Sequence, residues 1–83
     1  MTQIEKLYLR LVRSRAALRF ADFERILSAF GFELDRINGS HHIYKHPGVP
    51  RRLSIQPRGG QAKPHQIDQF LDMVEEYGLE MRK

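Results

Sequence analysis

Histidines are concentrated in one short stretch of this chain. The segment INGSHHIYKHP, residues 37–47, contains three of the four histidines, and two of them, His41 and His42, are adjacent. Histidine transfers protons near neutral pH and is also a common metal ligand. The stretch could therefore form a catalytic site, a metal site or an ordinary β-hairpin.

The spacing of these histidines argues against a local metal site if they lie on a β-strand. Adjacent residues such as His41 and His42 point to opposite faces of a strand. His42 and His46 would lie ~13 Å apart, at roughly 3.3 Å per residue. The chain has no cysteine, and no carboxylate is close in sequence to the histidines. We therefore expect neither a metal nor another cofactor.

An outward-facing His41 could instead act as a general base in RNA cleavage. The 2′-hydroxyl of a ribose is the nucleophile, the imidazole accepts its proton, and a lysine or arginine offsets the charge on the phosphorane. The alternative is a histidine that only hydrogen-bonds a phosphate or the backbone of the turn. The residues alone leave both interpretations open.

Two hairpin registers are possible, and they place His41 on opposite faces of the sheet. A two-residue loop of Asn38 and Gly39 pairs Ile37 with Ser40. His41 then shares a face with Leu34, Phe32 and Ile43, which is the expected core face. A slip of one residue would reverse every side chain of the strand.

The second register has a three-residue loop, residues 38–40, and pairs Ile37 with His41. Tyr44 then joins Phe32 and Leu34 inside, and the large apolar ring of Tyr44 slightly favours this arrangement. The residues expected to face outward are His41, Ile43 and Lys45, together with Asp35.

The central part of the chain is strongly basic. Residues 36–67 contain no carboxylate and carry a formal charge of +6, whereas the rest of the chain has eight basic and ten acidic residues and a charge of −2. Such a block attracts phosphate backbones, although a solvated basic surface is the alternative. Its basic residues are Arg36, Lys45, Arg51, Arg52, Arg58 and Lys63.

Three segments have the apolar spacing of amphipathic helices. The first covers residues 3–12, the second ends at Gly31, and the third begins at Pro64 and stops at Gly78. Their apolar faces consist of Ile4, Leu7, Tyr8 and Leu11; of Phe23, Ile26, Leu27 and Phe30; and of Ile67, Phe70, Leu71, Val74 and Tyr77.

Between the second and third helices the pattern becomes that of β-strands. We predict strands at FELDRI, HHIYKH and RLSIQ, which are residues 32–37, 41–46 and 52–56. The intervening turns are predicted at Asn38-Gly39 and at residues 47–50. The predicted fold class is α+β in the order α-α-β-β-β-α, a three-stranded antiparallel sheet with helices packed on one face and the other face open.

His65 lies near the start of the last predicted helix, just after Lys63. A helix N-terminus beside Gly59 and Gly60 can hold an anion. An exposed polar residue in the first turn is an equally good interpretation of His65.

The string GFELDRINGSHHIYKHPG resembles the HicA (YcfA-like) family, the toxins of HicA–HicB toxin–antitoxin pairs. The family pattern has a helix ending at Gly-Phe, a strand, Gly-Ser-His, a second strand with an aromatic residue, and His-Pro. The tail GGQAKPHQIDQFLDMVEEYGL is similar to the closing helix of the family. The resemblance covers about residues 20–79, and its matching positions are Gly31-Phe32, Gly39-Ser40-His41, Tyr44 and His46-Pro47.

The resemblance implies a fold like the double-stranded-RNA-binding domain and an mRNA interferase activity, that is, a metal-independent endoribonuclease that arrests translation. It implies that His41, and not His42, is the catalytic histidine, which supports the longer loop. It assigns no catalytic role to His65. A non-catalytic RNA-binding module of the same fold is the alternative. We expect RNA contacts from Gly39, Ser40, Lys45, Arg52, Arg58 and Lys63.

The resemblance also implies a HicB-like antitoxin that covers the active site. We expect a monomer when the toxin is alone and a hetero-oligomer with the antitoxin. The 83 residues suffice for one small domain, in which residues 1 to about 18 add a helix to the core at about 20–79. No apolar run approaches the ~20 residues of a membrane helix and no signal peptide is visible, so we expect a cytoplasmic protein.

Overall fold

The structure is a computed structural model that describes residues 3–13 and 18–81. Its elements follow the order α-α-β-β-β-α, which confirms the predicted α+β fold. They are α1 (Gln3–Arg13), α2 (Phe20–Ala29), β1 (Glu33–Asn38), β2 (His41–His46), β3 (Val49–Ile55) and α3 (Pro64–Tyr77).

Helix α1 packs its apolar face onto the rest of the molecule. Leu11 is fully buried, and the ring of Tyr8 lies 4.9 Å from that of Phe30. The predicted apolar face is therefore part of the core. Residues 1, 2 and 14–17 of the predicted additional helix lie outside the described residues.

Helix α3 has the ends that its sequence predicts. Pro64 is its first residue, where its fixed φ suits a helix and its missing N–H is not needed. Gly78 ends it with φ 60 and ψ 41, and the Gly78 N–H donates to the carbonyl of Val74. Such left-handed geometry favours glycine, so the sequence stops the helix at this point.

The core lies between one face of the sheet and the helices. Phe70 of α3 meets Phe23 of α2 and Phe30, the residue just after α2, in edge-on contacts with ring centroids 5.7 and 5.2 Å apart. The sheet contributes Leu53 and Ile55, which are buried on one face of β3 as predicted. Alternate residues of β2 and β3 therefore face the helices, and the others face solvent.

Both predicted registers of the first hairpin are wrong. Asn38 pairs with His41, and Ile37 pairs with His42, so the loop consists of Gly39 and Ser40. Gly39 has φ 62, and a glycine at the first position of a two-residue loop is one of the favoured hairpin arrangements. The Asn-Gly pair thus straddles the end of β1 instead of forming the loop.

A β-bulge between Leu34 and Arg36 compensates for this shift in register. Tyr44 pairs with Leu34 and is buried, whereas His41 is exposed, so β2 faces as in the longer-loop prediction. Leu34 was expected inside but is 46% exposed. All six residues of the edge strand β1 are exposed, because the helices cover the inner faces of β2 and β3 instead.

Strand β3 begins earlier than predicted. Val49 pairs with His46, so the turn contains only Pro47 and Gly48. Pro50 is tolerated within β3 because this is the other edge strand of the sheet, whose order is β1-β2-β3. Within the described residues, none of the helices has the length and apolar character needed to cross a membrane.

Candidate active site

The adjacent histidines of β2 face opposite sides of the sheet. His42 turns toward α2, where its Nδ1 lies 3.1 Å from Glu24 Oε2 and its ring lies edge-on to Phe20 at 5.1 Å. His41 turns to the open face and is exposed. The pair therefore cannot act on one ligand, and His42 belongs to the packing between sheet and helix.

Tyr44 reaches the same carboxylate as His42. Its hydroxyl donates to Glu24 Oε2 over 2.6 Å. Burial, together with this hydrogen bond and the negative charge of Glu24, raises the pKa of Tyr44 well above its usual range. The hydroxyl therefore stays protonated and acts as a permanent donor that fastens β2 to α2.

His46 is fully engaged in local structure. Its Nδ1 accepts a hydrogen bond from the Gly48 N–H over 2.9 Å, so the proton of a neutral ring lies on Nε2. That nitrogen lies 2.9 Å from the carbonyl of Phe30, to which it donates. His46 thus joins the second turn of the sheet to the end of α2, and it is unsuited to proton transfer with a substrate.

His41 stands at the start of β2, directly after the loop of Gly39 and Ser40. Its Nδ1 lies 3.4 Å from the Ser54 Oγ on β3, within reach of a weak hydrogen bond. If Nδ1 carries the proton and donates to Ser54, Nε2 has the free lone pair that a general base requires. The geometry is therefore compatible with base chemistry on the open face.

Gln56 links the loop beside His41 to the start of α3. Its Nε2 donates to Ser40 Oγ over 2.8 Å, and its Oε1 accepts from Lys63 Nζ over 3.2 Å. Its backbone N–H donates to Gln66 Oε1 over 3.0 Å. Two predicted RNA contacts, Ser40 and Lys63, are thereby brought together through a residue that the sequence did not single out.

A groove of about 300 Å³ runs along the outer edge of β3, and we call it the β3-edge groove. Its walls come from β2, β3 and α3. They include His41, Arg51, Arg52, Ser54, His65 and Gln69. The groove places a histidine, two guanidinium groups and a hydroxyl around one space, which suits a phosphodiester.

A second cavity, the α3-start cavity, has a volume of about 240 Å³. It contains two of the predicted phosphate contacts, Arg58 and Lys63, and is lined as well by Pro64 and His65. His65 is common to this cavity and to the β3-edge groove. The predicted site residues therefore fall into two neighbouring spaces.

Asp35 partly neutralises two further predicted contacts. Its carboxylate lies 3.2 Å from Arg52 Nε and 4.0 Å from Lys45 Nζ. The longer-loop register predicts Asp35 on the outward face with Lys45, and the structure places the two side chains there together. This carboxylate, which precedes the acid-free block in sequence, therefore lies beside two of its basic groups. Lys45 also lines a different cavity from His41, beside Glu33 and His46.

Several residues of this site were missed by sequence reasoning. Ser54 and Gln56 lie on β3 or just after it, and their partners are 13 to 16 residues away. Glu24 is a helix residue whose partners lie on β2. Only the alternation of β3, which puts Ser54 on the face opposite Leu53 and Ile55, could have indicated one of them.

Among residues 3–13 and 18–81, no group of three or more histidine, cysteine, aspartate and glutamate side chains is arranged to hold a metal ion.

Comparison with known proteins gives one result for this chain. The family model described as the HicA toxin of bacterial toxin-antitoxin systems matches residues 20–73, from the first residue of α2 into α3. Neither the curated proteins nor the solved structures contain a significant match. The matched range covers more than half of the chain and includes the whole sheet with the Gly39-Ser40-His41 segment. The protein therefore belongs to the HicA family of bacterial toxins, and its family implies an antitoxin partner.

Proposed function

We propose that this protein is an endoribonuclease that cleaves mRNA, with His41 as the general base. The observation that carries the proposal is the position of His41. It is exposed on the open face, in a groove with Arg51 and Arg52, while His42 and His46 are engaged in packing contacts. The family match to a toxin agrees with an activity that harms the cell.

In the proposed reaction, Nε2 of His41 removes the proton of a ribose 2′-hydroxyl. The oxygen attacks the adjacent phosphorus, and the negative charge that develops is offset by nearby cationic side chains. The other ring nitrogen of His41, Nδ1, donates its proton to the Ser54 hydroxyl oxygen in this scheme. The chain needs no metal for these steps, because the nucleophile belongs to the substrate and the base is a side chain.

The RNA contacts proposed for this reaction lie in the β3-edge groove with His41 and in the spaces beside it. Gly39 and Ser40 shape the loop that precedes it, and Ser40 is held by Gln56. Positive charge is supplied by Lys45, Arg52, Arg58 and Lys63. Arg51, which lines the β3-edge groove, is added to this set by its position.

We propose further that a HicB-like antitoxin silences the toxin by covering the β3-edge groove, in a hetero-oligomer, and that the toxin alone is a monomer in the cytoplasm. The chain is proposed to be one domain, with a core at about residues 20–79 to which α1 is added. The full burial of Leu11 in the same core as Phe23 and Phe70 supports this view.

Paired expression of the wild type and His41→Ala tests the proposal. The wild type is expected to arrest growth and deplete mRNA, and His41→Ala to do neither, at equal amounts of folded protein. Equal toxicity of the two proteins would overturn the role of His41. Salt-sensitive RNA binding without RNA loss in either strain would identify the alternative, a non-catalytic RNA-binding module.

A further inference from the structure

His65 is the second exposed histidine beside the proposed site. It is the second residue of α3, and it is exposed to solvent. It lines both the β3-edge groove, with His41, and the α3-start cavity, with Arg58 and Lys63. A sugar-phosphate chain that passed from one space to the other would therefore run past His65.

Hydrogen bonds join the backbone segments that carry His41 and His65. Gln56 binds Ser40, the residue before His41, and also Lys63 and Gln66 on either side of His65. Gln66 is itself buried. The loop that carries His41 and the first turn of α3 are thus joined by the contacts of one residue.

Cleavage of RNA by its own 2′-hydroxyl requires two proton transfers. One group must accept the proton of the nucleophile, and another must supply a proton to the departing 5′-oxygen. His41 fills the first role in the proposed function, which leaves the second unassigned. Lys45 is poorly placed for it, because its ammonium lies beside Asp35 and in a different cavity from His41.

We propose that His65 is the general acid of this reaction, an inference that rests on the proposed role of His41. The 2′-oxygen forms a bond to phosphorus while Nε2 of His41 takes its proton. The bond between phosphorus and the 5′-oxygen breaks, and that oxygen takes a proton from the His65 imidazolium. The products are a 2′,3′-cyclic phosphate and a 5′-hydroxyl, and the two histidines have exchanged protonation states.

A substrate with a better leaving group distinguishes two roles of His65, a general acid and a residue that only binds RNA. A short RNA whose scissile 5′-oxygen is replaced by sulfur releases a thiolate, which leaves without being protonated. His65→Ala is expected to slow cleavage of the ordinary RNA by about 10²-fold, in the range of general acid catalysis. On the sulfur-linked RNA, the cleavage rate of the same variant is expected to fall by less than about 10-fold, because the thiolate leaves without needing a proton from a general acid.

The other variants complete the experiment. His41→Ala is expected to lose activity on both substrates, and Glu75→Gln, an exposed change elsewhere on α3, is expected to lose it on neither. Circular dichroism and thermal unfolding confirm that each variant is folded. In a pH–rate profile of the ordinary RNA, His65→Ala is expected to lose the alkaline decline that a general acid produces.

Two results would overturn this inference while leaving the role of His41 intact. One is an equal loss by His65→Ala on both substrates, which would make His65 a binding residue. The other is full activity of His65→Ala on the ordinary RNA. Failure of the wild type to cleave either substrate would instead overturn the proposed function together with the inference.

Discussion

Gln56 donates a hydrogen bond to Ser40 across 2.8 Å and accepts one from Lys63 across 3.2 Å. One amide side chain therefore joins the loop before His41 to the residue that precedes α3. Because the amide supplies one donor and one acceptor in these contacts, alanine cannot reproduce either of them. The link therefore acts on the loop that presents His41.

Removal of the link is expected to weaken both folding and catalysis. Gln56→Ala removes two side-chain hydrogen bonds and should lower the free energy of unfolding by about 1–3 kcal/mol, at roughly 0.5–1.5 kcal/mol for each bond. The cleavage rate should fall by roughly 10-fold, because small displacements of catalytic groups are costly. Denaturant unfolding and single-turnover cleavage measure the two effects.

A double-mutant cycle shows whether the effect of Gln56 passes through Ser40. If it does, Ser40→Ala combined with Gln56→Ala should be little worse than either change alone. Fully additive losses in rate would show that the two side chains act independently and would contradict this positioning role.

Tyr44→Phe is expected to destabilise the fold at neutral pH. The change removes the 2.6 Å hydrogen bond to Glu24 and leaves a half-buried carboxylate with one partner fewer. A hydrogen bond to a charged group contributes about 1.5–3 kcal/mol, so a loss of this order should appear in denaturant unfolding at pH 7. An unchanged midpoint and slope would mean that the bond does not form in solution.

The raised pKa of Tyr44 also predicts a specific pH dependence. Burial, the Glu24 hydrogen bond and the Glu24 charge all disfavour the phenolate in the folded protein, whereas the ordinary pKa of 10.0 applies when it is unfolded. The stabilisation by this group is therefore constant below about pH 10 and is lost as the pH rises further. Above that pH, stability should fall more steeply in the wild type than in Tyr44→Phe, so the two curves should converge; parallel curves would contradict the assignment.

Asp35 is expected to limit the affinity of the open face for RNA. Asp35→Asn frees Arg52 and Lys45 from their shared carboxylate, which should strengthen RNA binding several-fold at low salt. The dependence of affinity on salt should become steeper, because additional phosphate contacts release additional counterions. The measurement uses an RNA made uncleavable by 2′-O-methyl groups, which block the nucleophile and keep the ribose.

Glu75→Gln is the matched control for this prediction, because it makes the same change in net charge on an exposed position of α3. If both variants strengthened binding equally, the effect would come from net charge alone. If Asp35→Asn weakened binding, the carboxylate would be needed to position Arg52.

The elements with strong local signals were predictable from sequence. Pro64 and Gly78 mark the ends of α3 because each supplies a backbone geometry that few other residues provide. Strand β2 was predicted with its observed bounds, His41–His46, from its aromatic and β-branched residues. These features depend on residues that are close together in the chain.

The hairpin register and the site network were not predictable in the same way. The Asn38-Gly39 pair is a strong turn signal, but the loop is shifted by one residue and a bulge at Asp35 restores the facing of β1. Gln56 and Glu24 act through partners far away in sequence, and no periodic pattern marks such polar contacts. The sequence thus indicated His41, whereas the residues that surround it could be identified only from the fold.

Cleavage of a defined RNA by the purified protein, in the presence of a metal chelator, is the sharpest test of the proposed role of His41. The wild type should cut this RNA but not the same RNA with a single 2′-deoxy sugar at the cut. His41→Ala should cut the ordinary RNA more slowly by about 10² to 10⁴-fold, the range of general base catalysis. Cleavage by folded His41→Ala at the wild-type rate, or equal cleavage of the 2′-deoxy substrate, would show that His41 does not activate a ribose hydroxyl.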